Sequence, residues 1–343
     1  MKILIATGIF PPDIGGPATY SKILADELPK LGIGVEVLSY SSTGRGLPKI
    51  FRYVTYFLKV LKEGWNVDLL YAQDPVFGLA ACVASFILRK PFLLKVVGDY
   101  AWEQGVNRFG VKELLDEFLD KKYGWRVEFL RWVEKWVASQ AYVVIVPSHY
   151  LKSVVEKWNV NPEKIKVIYN SVQLRYIEVE KERARKELGL SGKILVSIGR
   201  SVPWKGFEML NGLMPEIKKK YPDAKLFIIS SRPHEEVLKY LKAADIFLLN
   251  TGYEGFSHQI LEAMAVGAPT ISTHAGGNKE ILVNRQNALV AGYNDKEGWM
   301  EAIFELLDNP ALAQNLADNA KKDIQKFTGQ NMIEETLKVL KEI

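Results

Sequence analysis

Short runs of apolar and β-branched residues alternate along the chain with stretches whose apolar positions recur every three to four residues. In the first half the runs fall at 2–6, 35–39, 69–72, 92–97, 142–146 and 166–169, and the helical patterns at 20–31, 52–63, 111–139 and 150–157. Runs that are apolar throughout belong to strands covered on both faces, and their alternation with amphipathic stretches predicts a parallel sheet with crossover helices. The pattern lapses over 171–178, resumes in a charged helix at 181–188 and a new strand at 193–198, and then repeats. Further strands are expected at 225–229, 246–249, 270–272 and 288–290, with last helices at 295–308, 311–327 and 330–341. The fold class is therefore α/β, with two doubly wound, Rossmann-like domains joined by a short linker. Boundaries are expected at 1–173 and 174–327, with 328–343 as a terminal helix. Open sheets of this kind bind ligands at the carboxyl ends of their strands, so a central cleft bordered by both sheets is the expected site.

Composition narrows the picture only a little. A chain of 343 residues fits two domains of about 150 each. Hydrophobic residues at 48% and charged residues at 25% suit a globular interior and exclude a disordered or fibrous chain. The one cysteine, Cys82, lies in an apolar run, which rules out an internal disulfide and a multi-cysteine zinc site and favours a reducing compartment. The apolar start at 1–6 stops at Thr7-Gly8, and the run at 76–88 is interrupted by Gly78 and Ser85. Both fall short of the roughly 20 residues a bilayer-spanning helix needs, so a cytoplasmic location without a membrane span is expected. A net charge of +5 admits anionic small molecules, anionic lipid surfaces and nucleic acid alike.

Three segments carry candidate chemistry. Gly15 and Gly16 close the turn between the first strand and the first helix, where backbone N–H groups approach an anion beside a helix N-terminus; an ordinary turn stiffened by Pro11 and Pro12 is the alternative. Arg200 and Lys205 leave the first strand of the second domain on a loop bounded by Gly199 and Gly206. A planar guanidinium and a mobile ammonium there suit a diphosphate, although two solvated surface charges would produce the same pattern. The third segment runs from Tyr253 to Ala265, with Glu254 in a loop after a strand and a helix beginning near Phe256 or Ser257. Glu262 follows about two turns later, so two carboxylates of one cleft wall are available to sugar or ribose hydroxyls; a cap for Glu254 and solvation for Glu262 are the competing roles.

Taken in order, these segments together with Asn170, Gly267-Ala268-Pro269 and Gly276-Gly277-Asn278-Lys279-Glu280 resemble the retaining glycosyltransferase family 4, of GT-B architecture. The resemblance spans nearly the whole chain. It implies that Gly16 faces the diphosphate of a nucleotide-sugar donor, that Arg200 and Lys205 bind it, that Glu254 holds the transferred sugar and that Glu262 binds the ribose. Gly255, Phe256, Ser257 and His258 would add donors at the helix N-terminus, and the terminal helix would pack back on the first domain. Asp99 stands where many relatives carry a histidine that touches the donor sugar. After 225–229 only Ser230-Ser231-Arg232-Pro233 intervenes before the next helix, where the family has a further helix and strand. The contact to the nucleotide base therefore cannot be carried over.

Two carboxylates from one loop and helix do not flank a sugar as the acid and base of a glycoside hydrolase do. The resemblance instead implies a hexosyltransferase in which Arg200, Lys205 and helix N-terminal amides stabilise the departing nucleoside diphosphate. His149, His234, His258 and His274 are scattered and no Asp-x-Asp pair occurs, so neither a metal nor another cofactor is expected. The acceptor is expected to be a glycan or a lipid-linked molecule. Two aromatic and basic stripes leave room for peripheral contact with a membrane. One comprises Trp125, Arg126, Phe129, Arg131, Trp132, Lys135 and Trp136, the other Arg52, Tyr53, Tyr56, Phe57 and Lys59. Ordinary amphipathic periodicity favours placing these aromatics in the core. No nucleic-acid motif accompanies them, so nucleic acid is not an expected partner. A non-catalytic nucleotide-sugar binder and a sugar-nucleotide epimerase of the same architecture remain the alternatives.

Overall fold

A computed structural model describes residues 1–13, 15–172 and 180–343. The expected boundary at 173 and 174 and most of the linker lie outside the described residues. Two compact units result, one formed by Met1–Asn170 with Gly329–Ile343 and the other by Ser171–Thr328.

The first unit runs β1 (Lys2–Thr7), α1 (Gly16–Glu27), β2 (Gly34–Ser39), α2 (Lys49–Gly64), β3 (Leu69–Gln73), α3 (Pro75–Leu88) and β4 (Phe92–Lys95). It continues through α4 (Tyr100–Arg108), α5 (Leu115–Leu119), α6 (Trp125–Gln140), β5 (Val143–Val146), α7 (His149–Glu156) and β6 (Ile165–Val167). Its sheet is six-stranded and parallel, in the order β2-β1-β3-β4-β5-β6. Register sends Ile3, Ile5, Leu69, Tyr71, Leu93 and Ile145 to one face, where they meet Ile23 and Leu24 of α1. Helix α3 packs closely on the opposite face: a Cβ on Gly78 would stand 3.1 Å from Leu94 and 3.2 Å from Ala72.

The second unit runs α8 (Lys181–Leu188), β7 (Ile194–Ile198), α9 (Phe207–Lys220), β8 (Lys225–Ile229), α10 (His234–Ala243), β9 (Ile246–Leu249), α11 (His258–Val266) and β10 (Thr270–Ser272). After β11 (Leu289–Val290) come α12 (Lys296–Asp308) and α13 (Pro310–Asp323). The five strands are parallel, in the order β11-β10-β9-β7-β8, around a core that includes Leu195, Leu210, Leu248, Ile271, Trp299 and Leu316. The chain then returns to the first unit as α14 (Gly329–Lys341), which places Met332, Ile333 and Leu340 beside α1 on the first sheet.

Three expectations are corrected. The region 111–139 is not one helix: Gly110 adopts a φ of 73°, α5 spans only Leu115–Leu119, and α6 starts only after Gly124. Helix α4 precedes them, started by a side-chain cap from Asp99, and β4 ends at Lys95 rather than 97. The aromatics of α6 do not all enter the core; Trp125, Phe129 and Trp132 stand exposed. In α2 the inward face holds Tyr56 and Val60, as amphipathic packing requires, but Ile50, Phe51, Val54 and Leu58 form a second apolar stripe that is exposed. Cys82 is buried, and burial pushes its thiol up to about 12. Among the described residues no helix is long and apolar enough to cross a membrane.

Candidate donor site of the second unit

Strands β10, β9 and β7 lie side by side and parallel, so the loops that follow them leave the sheet at the same edge. The loop after β7 passes through a short turn of 3-10 helix, Pro203–Lys205, to Gly206, which begins α9 with a φ of 53°. A Cβ at Gly206 would sit 2.1 Å from Asn250 Nδ2 in the loop after β9, so the close approach requires glycine. The Asn250 amide donates to the Gly206 carbonyl at 3.1 Å and to Asn294 Oδ1 at 2.8 Å, and its oxygen accepts from the Asn294 N–H at 3.0 Å. The Gly252 N–H donates to the Trp204 carbonyl at 2.8 Å, and Thr273 Oγ1 donates to the Thr251 carbonyl at 2.6 Å. These contacts fix four loops to one another before any ligand is considered.

On that frame Lys205 Nζ forms an ion pair with Glu254 Oε1, with side chains only 8% and 12% exposed. The Lys205 stem runs past Gly199, where a Cβ would lie 3.4 Å from Lys205 Cε. The Glu254 carbonyl accepts from the Gly277 N–H at 2.9 Å, which ties the loop after β10 to the same point. Helix α11 begins at His258, shortly after Glu254, and is capped by Ser257, whose hydroxyl accepts from the Ile260 N–H at 3.4 Å. Its N-terminus presents positive partial charge at the edge where Lys205 and Glu254 meet. Arg200 stands exposed on the same loop as Lys205.

The two carboxylates do not act as one pair. Glu254 is held by Lys205, whereas Glu262, inside α11, is hydrogen-bonded to His234 Nε2 at 2.9 Å. His234 opens α10, and its hydrogen bond to Glu262 holds its pKa above the usual 6.5. The site thus has a cation–carboxylate pair at the sheet edge and a separate imidazole–carboxylate pair on α10 and α11.

In the first unit, Gly15 caps α1 with a φ of 156° and Gly16 is its first residue, a strand–turn–helix arrangement as the sequence pattern requires. Asp99 is committed to α4: its Oδ1 accepts from the Trp102 N–H at 2.7 Å, while Glu134 of α6 accepts from the Tyr100 and Ala101 N–H groups at 2.6 and 3.0 Å. Two buried carboxylates therefore satisfy three successive amides of one helix start, and burial raises the pKa of both. Asp74, which the sequence did not single out, caps α3 at the end of β3 with a φ of 71°, and burial pushes its carboxyl up to about 7. Its only sequence signal is an aspartate before a proline that opens a helix. Asn250, Thr251 and Thr273 were also missed; each is a buried polar residue just beyond a buried strand. Among the described residues no group of three or more His, Cys, Asp or Glu side chains is arranged to hold a metal ion.

Comparison with known proteins bears on this geometry. Residues 14–176 match the sequence model described as Glycosyltransferase Family 4, and residues 227–323 match that described as Glycosyl transferases group 1. The chain has the GT-B glycosyltransferase fold. Among solved GT-B structures it is similar to sucrose-phosphate synthase from Thermosynechococcus elongatus, at a TM-score of 0.80 and 18% identity over 99% of this chain and 98% of that one. It is also similar to Anabaena HepE in complex with UDP and glucose, at a TM-score of 0.78 and 18% identity, covering 100% of both chains. An uncharacterized glycosyltransferase of Methanocaldococcus jannaschii is 24% identical over 397 aligned residues, covering 99% of this chain and 98% of the relative. The D-inositol 3-phosphate glycosyltransferase of Corynebacterium urealyticum is 20% identical over 391, covering 96% and 91%.

Proposed function

We propose that this GT-B chain is a retaining, metal-independent hexosyltransferase of family 4 that takes a UDP- or GDP-sugar and passes the sugar to a glycan or lipid-linked acceptor. The observation that carries the reading is the buried Lys205–Glu254 pair at the carboxyl edge of the second sheet, beside the N-terminus of α11. Lys205 and Arg200 bind the diphosphate, and with the α11 amides around Gly255, Phe256, Ser257 and His258 they stabilise the charge that develops on the leaving nucleoside diphosphate. Glu254 positions the transferred sugar, with Lys205 setting its orientation until the diphosphate takes over part of the lysine's hydrogen bonding. Glu262 receives the ribose hydroxyls, exchanging its contact with His234 for them. Gly15 and Gly16 contribute backbone amides at the start of α1, and Asp99 shapes the acceptor side by fixing α4. The preorganised cations supply the charge stabilisation that a metal would otherwise give. The work is proposed to take place in the cytoplasm.

A second reading has a specific observation in its favour. In the second sheet β8 is an edge strand, only Ser230–Pro233 separates it from α10, and the sheet has five strands. We read this as loss of a helix and strand that relatives retain, in keeping with the archaeal alignment being longer than the chain's own 343 residues. A chain that has lost its base-contacting strand would hold a nucleotide sugar more weakly and less well aligned, leaving a degenerate binder that does not transfer it. Incubation with radiolabelled UDP- and GDP-sugars and a panel of glycan and lipid acceptors separates the readings. Label transferred to an acceptor supports the transferase. Donor binding without turnover supports the degenerate binder, and isomerised donor without acceptor would identify an epimerase.

A further inference from the structure

Helices α2, α3 and α6 lie side by side over one face of the first sheet, with α3 between the other two. Each turns large apolar side chains outward as well as inward. On α6, Trp125, Phe129, Trp132 and Trp136 recur at spacings of four, three and four residues and so form a single stripe. Phe129 stacks on Trp132 at 6.0 Å and Trp132 on Trp136 at 6.3 Å between ring centroids. Trp136 lies 6.3 Å from Phe86 of α3, which carries the stripe onto the neighbouring helix, where Ile87 is also exposed. On α2, Ile50 and Phe51 are 78% and 65% exposed, and Val54 and Leu58 continue the row. None of these side chains fills the core, and aromatic residues of this size are not left in water over three adjacent helices without a partner.

Charge decides which partner. The exposed cations Lys49, Lys59 and Lys62 flank the α2 row, and Arg89 and Arg126 flank those of α3 and α6. The acidic residues on the same helices are partly spent elsewhere: Glu128 pairs with Arg131 at 3.0 Å and Glu134 is buried, which leaves half-buried Glu63. Protein interfaces exclude lysine from their centres and gather apolar residues into one desolvated patch. Rows of tryptophan and phenylalanine interleaved with lysine and arginine instead match the boundary of an anionic bilayer, where aromatic rings settle at the headgroup level and cations meet lipid phosphates.

We propose that the face formed by α2, α3 and α6 docks on an anionic lipid bilayer, with Phe51, Phe129 and Trp132 entering the headgroup region and the flanking cations contacting lipid phosphate. The full chain is tested by co-sedimentation with vesicles of phosphatidylcholine alone and of phosphatidylcholine mixed with phosphatidylglycerol. Binding is expected to the mixed vesicles, and to weaken as salt is raised. The exposed triple variant Phe51→Ser/Phe129→Ser/Trp132→Ser should keep the wild-type melting profile and lose at least about tenfold in partitioning. A second variant, Lys59→Glu/Lys62→Glu, should weaken binding to the mixed vesicles and leave any binding to neutral ones unchanged. The proposal is overturned if the wild-type chain stays in the supernatant with anionic vesicles, or if the triple variant sediments as the wild type does. It is also overturned if the wild type is a dimer that the triple variant dissolves, since the face would then join two copies of the chain. Neither donor nor acceptor enters this assay, so its failure leaves the transferase reading standing, and absent transfer leaves the docking face standing.

Discussion

Removing Lys205 while keeping its stem tests the buried pair most sharply. In Lys205→Met the apolar part of the side chain still covers Gly199, but Glu254, 12% exposed, loses the cation that compensates its burial. Breaking one partner of a buried pair costs about 3–5 kcal/mol, and the remaining solvent contact of Glu254 puts the expected loss near the lower end, about 3 kcal/mol. For a unit of this size that corresponds to a fall of about 6–12 °C in its melting temperature. Glu254→Gln, which strands the lysine, should lose about 2–3 kcal/mol. The double variant Lys205→Met/Glu254→Gln removes both charges and should return to within about 1 kcal/mol of wild type, a coupling that distant, independent sites do not show. Scanning calorimetry and urea unfolding of the four proteins measure the cycle. Single losses below about 1 kcal/mol that add in the double variant would refute the argument, because they are what an exposed pair gives.

His234 should titrate above 6.5 by NMR, because Glu262 favours its charged form. The stabilising contact is complete below that ordinary value and is lost as pH rises through the raised one, and Glu262→Gln should bring the imidazole back down; a wild-type value at or below 6.5 would contradict the pairing. Gly206→Ala should destabilise the second unit by at least about 2 kcal/mol, from the left-handed backbone and the collision with Asn250, and should also weaken nucleoside-diphosphate binding. Gly212→Ala in α9, where an added Cβ meets nothing within 4 Å, should instead stabilise by about 0.5–1 kcal/mol; equal melting of both variants would show that the Gly206 turn is not constrained.

Most of both sheets was legible in the sequence because buried parallel strands are apolar throughout, as in β5 and β9, and stand out from the amphipathic helices between them. The stretch around α4, α5 and α6 was not. The start of α4 depends on the Asp99 and Glu134 carboxylates, which converge there from positions distant in sequence, and the helical pattern that follows is interrupted at Gly110 and Gly124. Periodicity misjudged α6, whose Trp125, Phe129 and Trp132 stand exposed, since a helix that is apolar on two faces does not reveal which face the sheet covers. At the candidate site the residue types were readable, but their pairing was not. Lys205 meets Glu254 only because β7 and β9 are neighbours in the sheet, and Glu262 meets His234 because α10 follows β8 after a short loop. The supporting amide of Asn250 became visible only when Gly206 and Asn294 were brought to it.

Glu254 is assigned to the sugar and Glu262 to the nucleoside of one donor, and calorimetry separates these roles directly. Nucleoside diphosphate and the intact sugar nucleotide are each titrated into wild type, Glu254→Gln and Glu262→Gln. Glu254→Gln is expected to keep nucleoside-diphosphate affinity and to lose affinity only for the intact donor, together with slower transfer. Glu262→Gln should lose affinity for both ligands alike, by about 1.5–3 kcal/mol for a lost hydrogen bond to a charged group. Equal losses for both ligands in both variants, or unchanged binding in both, would contradict this assignment.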